Sequence, residues 1–353
     1  METNKTIDSA ALEATRRLID GNRRFVITTH MSPDGDAVGS ALGLHRWLKK
    51  KGKEVTVIFN DAPGMNLNFI PGHDEGIIFE QQDKSLPSQK AAALKVLGEA
   101  EVLIATDYNE LYRTGEMAAE LRKLTIPKLM TDHHLNPATE EFDIIISHPE
   151  MAAACEVVYH LIRELGDSDL IDRDVAGPLY CGLMTDTGMF SYSVNRPEPW
   201  LMAADLVARG ADAERFRRDC VLETERRARL MGYVLDQKMN ILPEHKAAWF
   251  SLTKPELKKY NYQKGDSEGF VNLPLNIYGI QVSAYFREEK NFVKVSLRSK
   301  GDFPVNEVCK QFFGGGGHKN AAGGEFHGTI EMAEKLFIKA LPLYKESLSP
   351  SLP

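Results

Sequence analysis

Thr28-Thr29-His30-Met31-Ser32-Pro33-Asp34-Gly35-Asp36-Ala37-Val38-Gly39-Ser40 decides how this chain is read. Phe25-Val26-Ile27 leads into it as a short apolar run between polar residues, the pattern of a buried strand. One imidazole, His30, and two carboxylates, Asp34 and Asp36, follow at once, with Pro33 and Gly35 bending the chain between them. Asp36 stands where a helix is expected to begin, since Ala37 to Lys50 is helix-compatible with Leu42, Leu44 and Leu48 apolar. The helix dipole favours a carboxylate there, so capping accounts for Asp36. It does not account for His30 and Asp34. Oxygen ligands beside an imidazole at the mouth of a strand suit a divalent ion such as Mn²⁺. Taken alone, this segment fits a metal site and a capped turn equally.

The surrounding chain alternates strands with helices. Upstream, Ser9 to Asp20 reads as a helix. Downstream, Gly52 ends the helix and Glu54 to Phe59 reads as a strand, followed by an irregular stretch to Gln89 with Ile77-Ile78-Phe79 as a short strand. Val102 to Ala105 is a buried-strand pattern that delivers Thr106-Asp107, and a helix is expected around Gly115 to Leu124. Pro127 to Met130 delivers Thr131-Asp132-His133-His134; Phe142 to Ile146 is one more strand, before a helix from Ala152 to Leu165. The alternation predicts an α/β fold with a doubly wound, mostly parallel sheet. Ligands of such sheets bind beyond the carboxyl ends of the strands. Singly, Asp107 is explained as a turn cap and a lone His as a satisfied side chain. Gathered at one sheet edge, they point to a metal centre. The helical stretch from Arg173 ends in Thr185-Asp186-Thr187-Gly188, where Asp186 reads either as a cap or as one more ligand.

His30-x3-Asp34-x-Asp36, Asp107, Asp132-His133-His134 and Asp186 resemble, in order and rough spacing, the four motifs of the DHH phosphoesterase superfamily. That superfamily includes manganese-dependent pyrophosphatases, single-strand exonucleases and small oligoribonucleases. Asn109 and Arg113 resemble its usual surroundings of the second motif. The resemblance implies two Mn²⁺ ions per chain, with Mg²⁺ or Co²⁺ as substitutes. His30, Asp34 and Asp107 would hold one ion and Asp36, Asp107, His133 and Asp186 the other, so that Asp107 bridges. It also implies a catalytic His134 supported by Asp132, and Arg113 among the substrate-binding residues.

The second half differs in texture. Trp200 to Glu225 reads as helices, and Arg226 to Asn240 as a charged, helix-prone connector. Ala247 to Leu252 opens a separate domain; Gln281 to Phe286 and Phe292 to Leu297 form a hairpin pattern, and Val305 to Phe313 is helix-like. Phe313-Gly314-Gly315-Gly316-Gly317-His318-Lys319-Asn320 follows, in which four glycines would let backbone amides converge on an anion. No Gly-Lys-Ser/Thr follows, which excludes a Walker-type loop. With Ser296-Leu297-Arg298-Ser299, the stretch resembles the smaller α/β substrate-binding domain that accompanies the DHH domain in exonucleases and oligoribonucleases. That implies substrate-binding roles for Arg298, Gly315, Gly316, Gly317 and His318. The expected division is a catalytic domain over 1–220, a connector over 221–240 and a substrate-binding domain over 241–347.

The 353 residues suffice for two cores, and a net charge of −7 leaves no basic face for long duplex nucleic acid. A small anion remains open, because bound cations invert the field of a carboxylate cluster. Cys155, Cys181, Cys220 and Cys309 lie far apart, as reduced core residues of a cytoplasmic protein do. No apolar stretch follows Met1-Glu2-Thr3-Asn4-Lys5 and no run reaches bilayer length, so neither a leader nor a membrane partner is expected. The expected activity is a manganese-dependent phosphodiesterase that trims short oligoribonucleotides or linear dinucleotides to mononucleotides and dephosphorylates 3′-phosphoadenosine 5′-phosphate. A pyrophosphatase or exopolyphosphatase, and an inactive nucleotide-binding sensor, are the alternatives; a homodimer is left open.

Overall fold

The computed structural model describes residues 7–64, 67–83, 85–263 and 265–348. The chain divides into two compact units between Leu222 and Glu223. In the first, β1 (Arg24–Thr28), β2 (Glu54–Phe59), β3 (Ile77–Ile78), β4 (Val102–Thr106), β5 (Lys128–Asp132) and β6 (Ile144–Ser147) form one parallel sheet in the order β3-β2-β1-β4-β5-β6. The order reverses between β1 and β4. Helices α1 (Ser9–Gly21), α2 (Gly35–Lys50), α3 (Lys90–Glu99), α4 (Ala118–Lys123), α5 (Ala154–Glu164), α6 (Arg173–Asp186), α7 (Glu198–Ala208) and α8 (Ala213–Cys220) complete the unit. Successive residues of β1 feed opposite cores. Ile27 joins Val38 of α2, Val158 of α5 and Leu179 of α6, while Val26 joins Ala93 of α3 and Leu121 of α4. Helices therefore cover both faces, and the sheet is doubly wound as predicted.

Two features of this packing place the site. Asp34, not the expected Asp36, caps α2: its Oδ1 accepts from the amides of Asp36 at 3.0 Å and Ala37 at 3.1 Å. Pro33 and Gly35 start the helix two residues earlier than the apolar pattern suggests, which frees the Asp36 carboxylate to reach across to α5. Helices α2 and α6 then run antiparallel in near backbone contact. A Cβ at Gly39 would lie 2.5 Å from Pro178 O, and one at Gly182 would collide with Cys155 Sγ and sit 3.0 Å from Asp36 Oδ1. The seam sets the start of α2 beside the end of α6, and so Asp36 beside Asp186.

The second unit is a mostly antiparallel sheet of β7 (Asn240–Leu242), β8 (Ala247–Leu252), β9 (Val282–Glu288), β10 (Val293–Ser299), β11 (Gly316–His318) and β12 (Ala321–Phe326), in the order β11-β12-β10-β9-β8-β7. Only the β8–β9 pair is parallel. Its helices are α9 (Glu225–Tyr233), α10 (Lys254–Lys259), α11 (Val305–Phe312) and α12 (Ile330–Ala340). Val293, Val295 and Leu297 of β10 pack with Val308 of α11 and Phe337 of α12, which leaves Ser296 and Arg298 on the other face. The stretch read as a connector, 221–240, includes α9, and Leu230 and Val234 lie buried with Phe250, Leu252 and Phe270 of the second unit.

The glycine-rich stretch is not the open amide loop expected. Gly316, Gly317 and His318 pair with Gly323, Ala322 and Ala321 as an edge strand, joined to β12 through Lys319-Asn320. A Cβ at Gly315 would collide with Gly323 O, and one at Gly317 with Ala321 O. The glycines there serve close approach of one strand to the next. Asn320 Nδ2 donates to Ser299 Oγ at 2.8 Å and Gly301 O at 3.0 Å, tying the turn to the end of β10. Among the described residues, no helix is long and apolar enough to cross a membrane.

Candidate metal centre

Six predicted ligand side chains, and His134 with them, converge beyond β1, β4 and β5, at the reversal of strand order where doubly wound sheets bind ligands. His30 donates from Nδ1 to Met31 O at 2.8 Å, since a carbonyl only accepts, and this leaves the Nε2 lone pair facing inward. That Nε2 lies 3.9 Å from Asp34 Oδ1 and 3.4 Å from Asp107 Oδ2. His133 is oriented in the same way, with Nδ1 3.3 Å from Met151 O. Its Nε2 lies 3.8 Å from Asp36 Oδ2, 3.6 Å from Asp107 Oδ1 and 3.7 Å from Asp186 Oδ2. Asp36 itself is held by the first amides of α5, from Ala154 at 2.6 Å and Cys155 at 2.9 Å.

Asp107 stands between the two sets. Its Oδ2 faces His30 and its Oδ1 faces His133. The backbone is left-handed there, φ 62°, a conformation that Asp tolerates better than most residues, and its amide donates to Thr131 O at 3.0 Å. Asn109 Nδ2 secures the same turn to the next loop through Leu135 O at 2.9 Å.

The electrostatics of the cluster suit bound cations. Burial, then the charges of Asp36 and Asp34, hold the Asp107 carboxyl well above its ordinary range. Burial likewise raises Asp36, and partial desolvation with the Asp36 charge pushes the more open Asp186 up to about 8. Burial pulls His133 down, but Asp36, Asp107 and Asp186 outweigh it and carry the imidazole up to about 9. Asp107 Oδ1 is buried with no hydrogen-bond partner among the described residues. Crowded carboxylates, inward imidazole lone pairs and an orphaned oxygen fit divalent cations, and the mixed oxygen and nitrogen donors suit a transition metal.

The remaining predicted residues fall beside or apart from this cluster. Asp132 is fully buried and receives the His134 amide at 3.0 Å and Nδ1 at 2.8 Å. Burial works to raise Asp132, yet the His134 hydrogen bond and charge hold it below the usual carboxylate value. Being ionised it can only accept, so Nδ1 carries the proton and Nε2 of His134 is left for chemistry. Burial lowers His134 against the pull of Asp132, and Arg113 adds to the lowering. Arg113 is half-buried, and its carbonyl accepts the Met31 amide at 2.7 Å. Arg298 and His318 belong to the second unit, where each stands opposite Ala321 in the ladder. They therefore share one face and one cross-strand row, with only a methyl between them.

Sequence reasoning passed over Asn60 and Asp61. Both are buried, and Asp61 accepts from the Ser32 amide at 2.6 Å, holding the left-handed turn (φ 54°) between His30 and Asp34. They follow β2 as His30 follows β1, a signal that strand-end position alone offers. The turn after Asp186 was also missed. Gly188, Met189 and Phe190 are consecutive left-handed residues with φ of 54°, 58° and 63°, at a cost of about 1–2 kcal/mol for each non-glycine residue. Phe190 stacks on Trp200 at 5.0 Å, which helps to hold the turn.

Comparison with known proteins identifies both domains. Residues 24–183 match the DHH family N-terminal domain and residues 249–342 the DHHA1 domain. A protein of Thermus thermophilus named bifunctional oligoribonuclease and PAP phosphatase NrnA is 31% identical over 317 residues, 89% of this chain and 88% of its own. The chain belongs to the DHH family. It is accordingly a phosphoesterase, and all of the candidate metal centre except Asp186 lies within the matched residues 24–183. A Bacillus subtilis protein of the same name is 25% identical over 326 residues, 91% of this DHH chain and 95% of its own. The crystal structure of an exopolyphosphatase-related protein from Bacteroides fragilis superposes with a TM-score of 0.91 at 40% identity, covering 97% of this chain and 98% of that one.

Proposed function

We propose that this DHH phosphoesterase binds two divalent ions, Mn²⁺ foremost, cleaves short oligoribonucleotides or linear dinucleotides to mononucleotides, and dephosphorylates 3′-phosphoadenosine 5′-phosphate. The observation that carries the metal reading is Asp107, whose two oxygens face two separate imidazole-containing sets. The substrate class is supported by the NrnA names of relatives that align along most of the chain. Ions held by His30, Asp34 and Asp107, and by Asp36, Asp107, His133 and Asp186, would polarise the phosphoryl group and lower the pKa of water. Between two dications an anion would be needed to offset their repulsion, and Asp107 would supply it. His134, its ring fixed by Asp132, offers Nε2 for moving a proton or meeting phosphate oxygen. Arg298 and His318 grip the substrate's base or terminal phosphate, a planar fork and an imidazole on one sheet face.

The likeness to an exopolyphosphatase-related protein makes polyphosphate the substrate to set against nucleotides. Product analysis after incubation with a diribonucleotide, 3′-phosphoadenosine 5′-phosphate, pyrophosphate and polyphosphate in Mn²⁺ decides between them. Mononucleotides and adenosine 5′-phosphate are the expected products. Orthophosphate from polyphosphate with the dinucleotide intact would overturn the proposal.

A further inference from the structure

We propose that the Glu156–Arg196 ion pair is a positioning latch for one half of the metal centre, the set Asp36, His133 and Asp186. Glu156 lies in the first turn of α5 and is fully buried, yet none of the chemistry above uses it. Its Oε2 accepts from the Ala152 amide at 2.8 Å and from Arg196 Nη2. Among the described residues its Oε1 has no hydrogen-bond partner, and His160 Nε2 lies 3.9 Å from it. A buried ion pair gives little net stability over apolar packing, so stability alone does not explain one here.

What the pair joins does explain it. The segment 151–156 supports two of the three side chains: Met151 O orients His133, and the Ala154 and Cys155 amides hold Asp36. Glu156 closes that segment on itself through Ala152, so the direction of those amides depends on it. The third side chain, Asp186, begins the loop that Arg196 ends. Within that loop Ser191 and Tyr192 fold back onto Thr187 O at 2.8 and 2.9 Å, through the strained turn at 188–190. Arg196 thus pins the Asp186 loop onto the helix that holds Asp36, and one contact registers all three. Among the described residues no hydrogen bond links the pair itself to His30 or Asp34, whose supports are Met31 O and the α2 amides of Asp36 and Ala37.

The inference rests on the metal reading above, and calorimetric titration of metal-free full-length protein with Mn²⁺ alone tests both. Glu156→Gln and Arg196→Met should each weaken one of the two binding events about 10- to 100-fold, the range for groups that orient metal ligands, and leave the other unchanged. Arg196→Lys, which keeps the charge but not the fork, should fall between. Circular dichroism verifies folding, and Ile162→Val in the α5 core supplies a variant with a lowered Tm whose Mn²⁺ affinities should stay at wild type. Should Glu156→Gln not fold, the two Arg196 variants carry the test. Unchanged binding in the Arg196 variants, or parallel loss at both events, would overturn the latch. Wild-type protein that takes up no divalent ion would overturn the metal reading instead.

Discussion

Replacing Asp107 by Asn should make the protein more stable without metal and less stable with it. Asn suits the test because it tolerates the left-handed φ of 62° and keeps the side chain's shape. In the metal-free protein it removes an acid that is buried, raised well above its ordinary pKa and unpartnered at Oδ1. Its NH₂ can instead donate to the neighbouring carboxylates. Relief of one unsatisfied buried group is worth about 1–3 kcal/mol. For a unit ending at Leu222, each kcal/mol moves Tm by about 2–4 °C, so a rise of a few degrees is expected. With metal the sign reverses. Each ion at a hundredfold excess over its Kd adds about 2.7 kcal/mol to the folded state, and the variant forfeits a ligand of both sets. Scanning calorimetry of both proteins, once with EDTA and once with Mn²⁺, should show the two Tm values change order. A variant less stable than wild type under both conditions would make Asp107 a structural residue. One that keeps the full Mn²⁺-dependent rise would refute the bridge.

Burial and mutual repulsion raise Asp36, Asp107 and Asp186, the last to about 8, and the same carboxylates carry His133 to about 9 against the pull of burial. All four hold protons more tightly folded than unfolded, so metal-free stability should fall as pH climbs from about 4 to 9, and urea midpoints in EDTA at pH 5.5 and 8.5 measure it. A midpoint that rises with pH would contradict the crowding. Gly39→Ala, with its Cβ 2.5 Å from Pro178 O, should cost about 1–3 kcal/mol by forcing α2 from α6; an unaltered Tm would mean the helices slide freely. His134→Ala should keep two Mn²⁺ per chain by elemental analysis and lose about a hundredfold in rate, whereas His133→Ala should lose an ion. The reverse outcome would exchange their roles. Arg298→Ala or His318→Ala should depress turnover of a dinucleotide and spare bis(p-nitrophenyl) phosphate, and equal loss on both would place these residues in the chemistry or the fold.

Legibility in the sequence followed the physics of each element. Buried parallel strands are continuous apolar runs, so Glu54 to Phe59 and Ala247 to Leu252 coincide with β2 and β8. The acids and imidazoles stand out because each group ends such a run or a helix. Helix α3 does not stand out, with only Ala93 and Leu97 buried. The edge strand at Gly316 carries no side-chain alternation to read. What holds Asp36 is beyond any local pattern, since its partner amides lie 118 and 119 residues away and carry no side-chain signature. Glu156 looks like an ordinary helix-start acid until the tertiary fold buries it.

The glycine seam between α2 and α6 also bears on which ions the centre admits. Asp36 and Asp186 hang from two helices that approach through backbone at Gly39 and Gly182, with the Thr185 and Leu179 side chains against Gly35 and Gly43 on either side. The Asp36-to-Asp186 side of the candidate centre is therefore set largely by helix–helix contact. Ca²⁺ needs oxygen ligands at about 2.3–2.6 Å and a loose shell of six to eight, whereas smaller cations sit closer with fewer. If the candidate centre holds ions, a side fixed by backbone contact would favour the smaller ones over Ca²⁺.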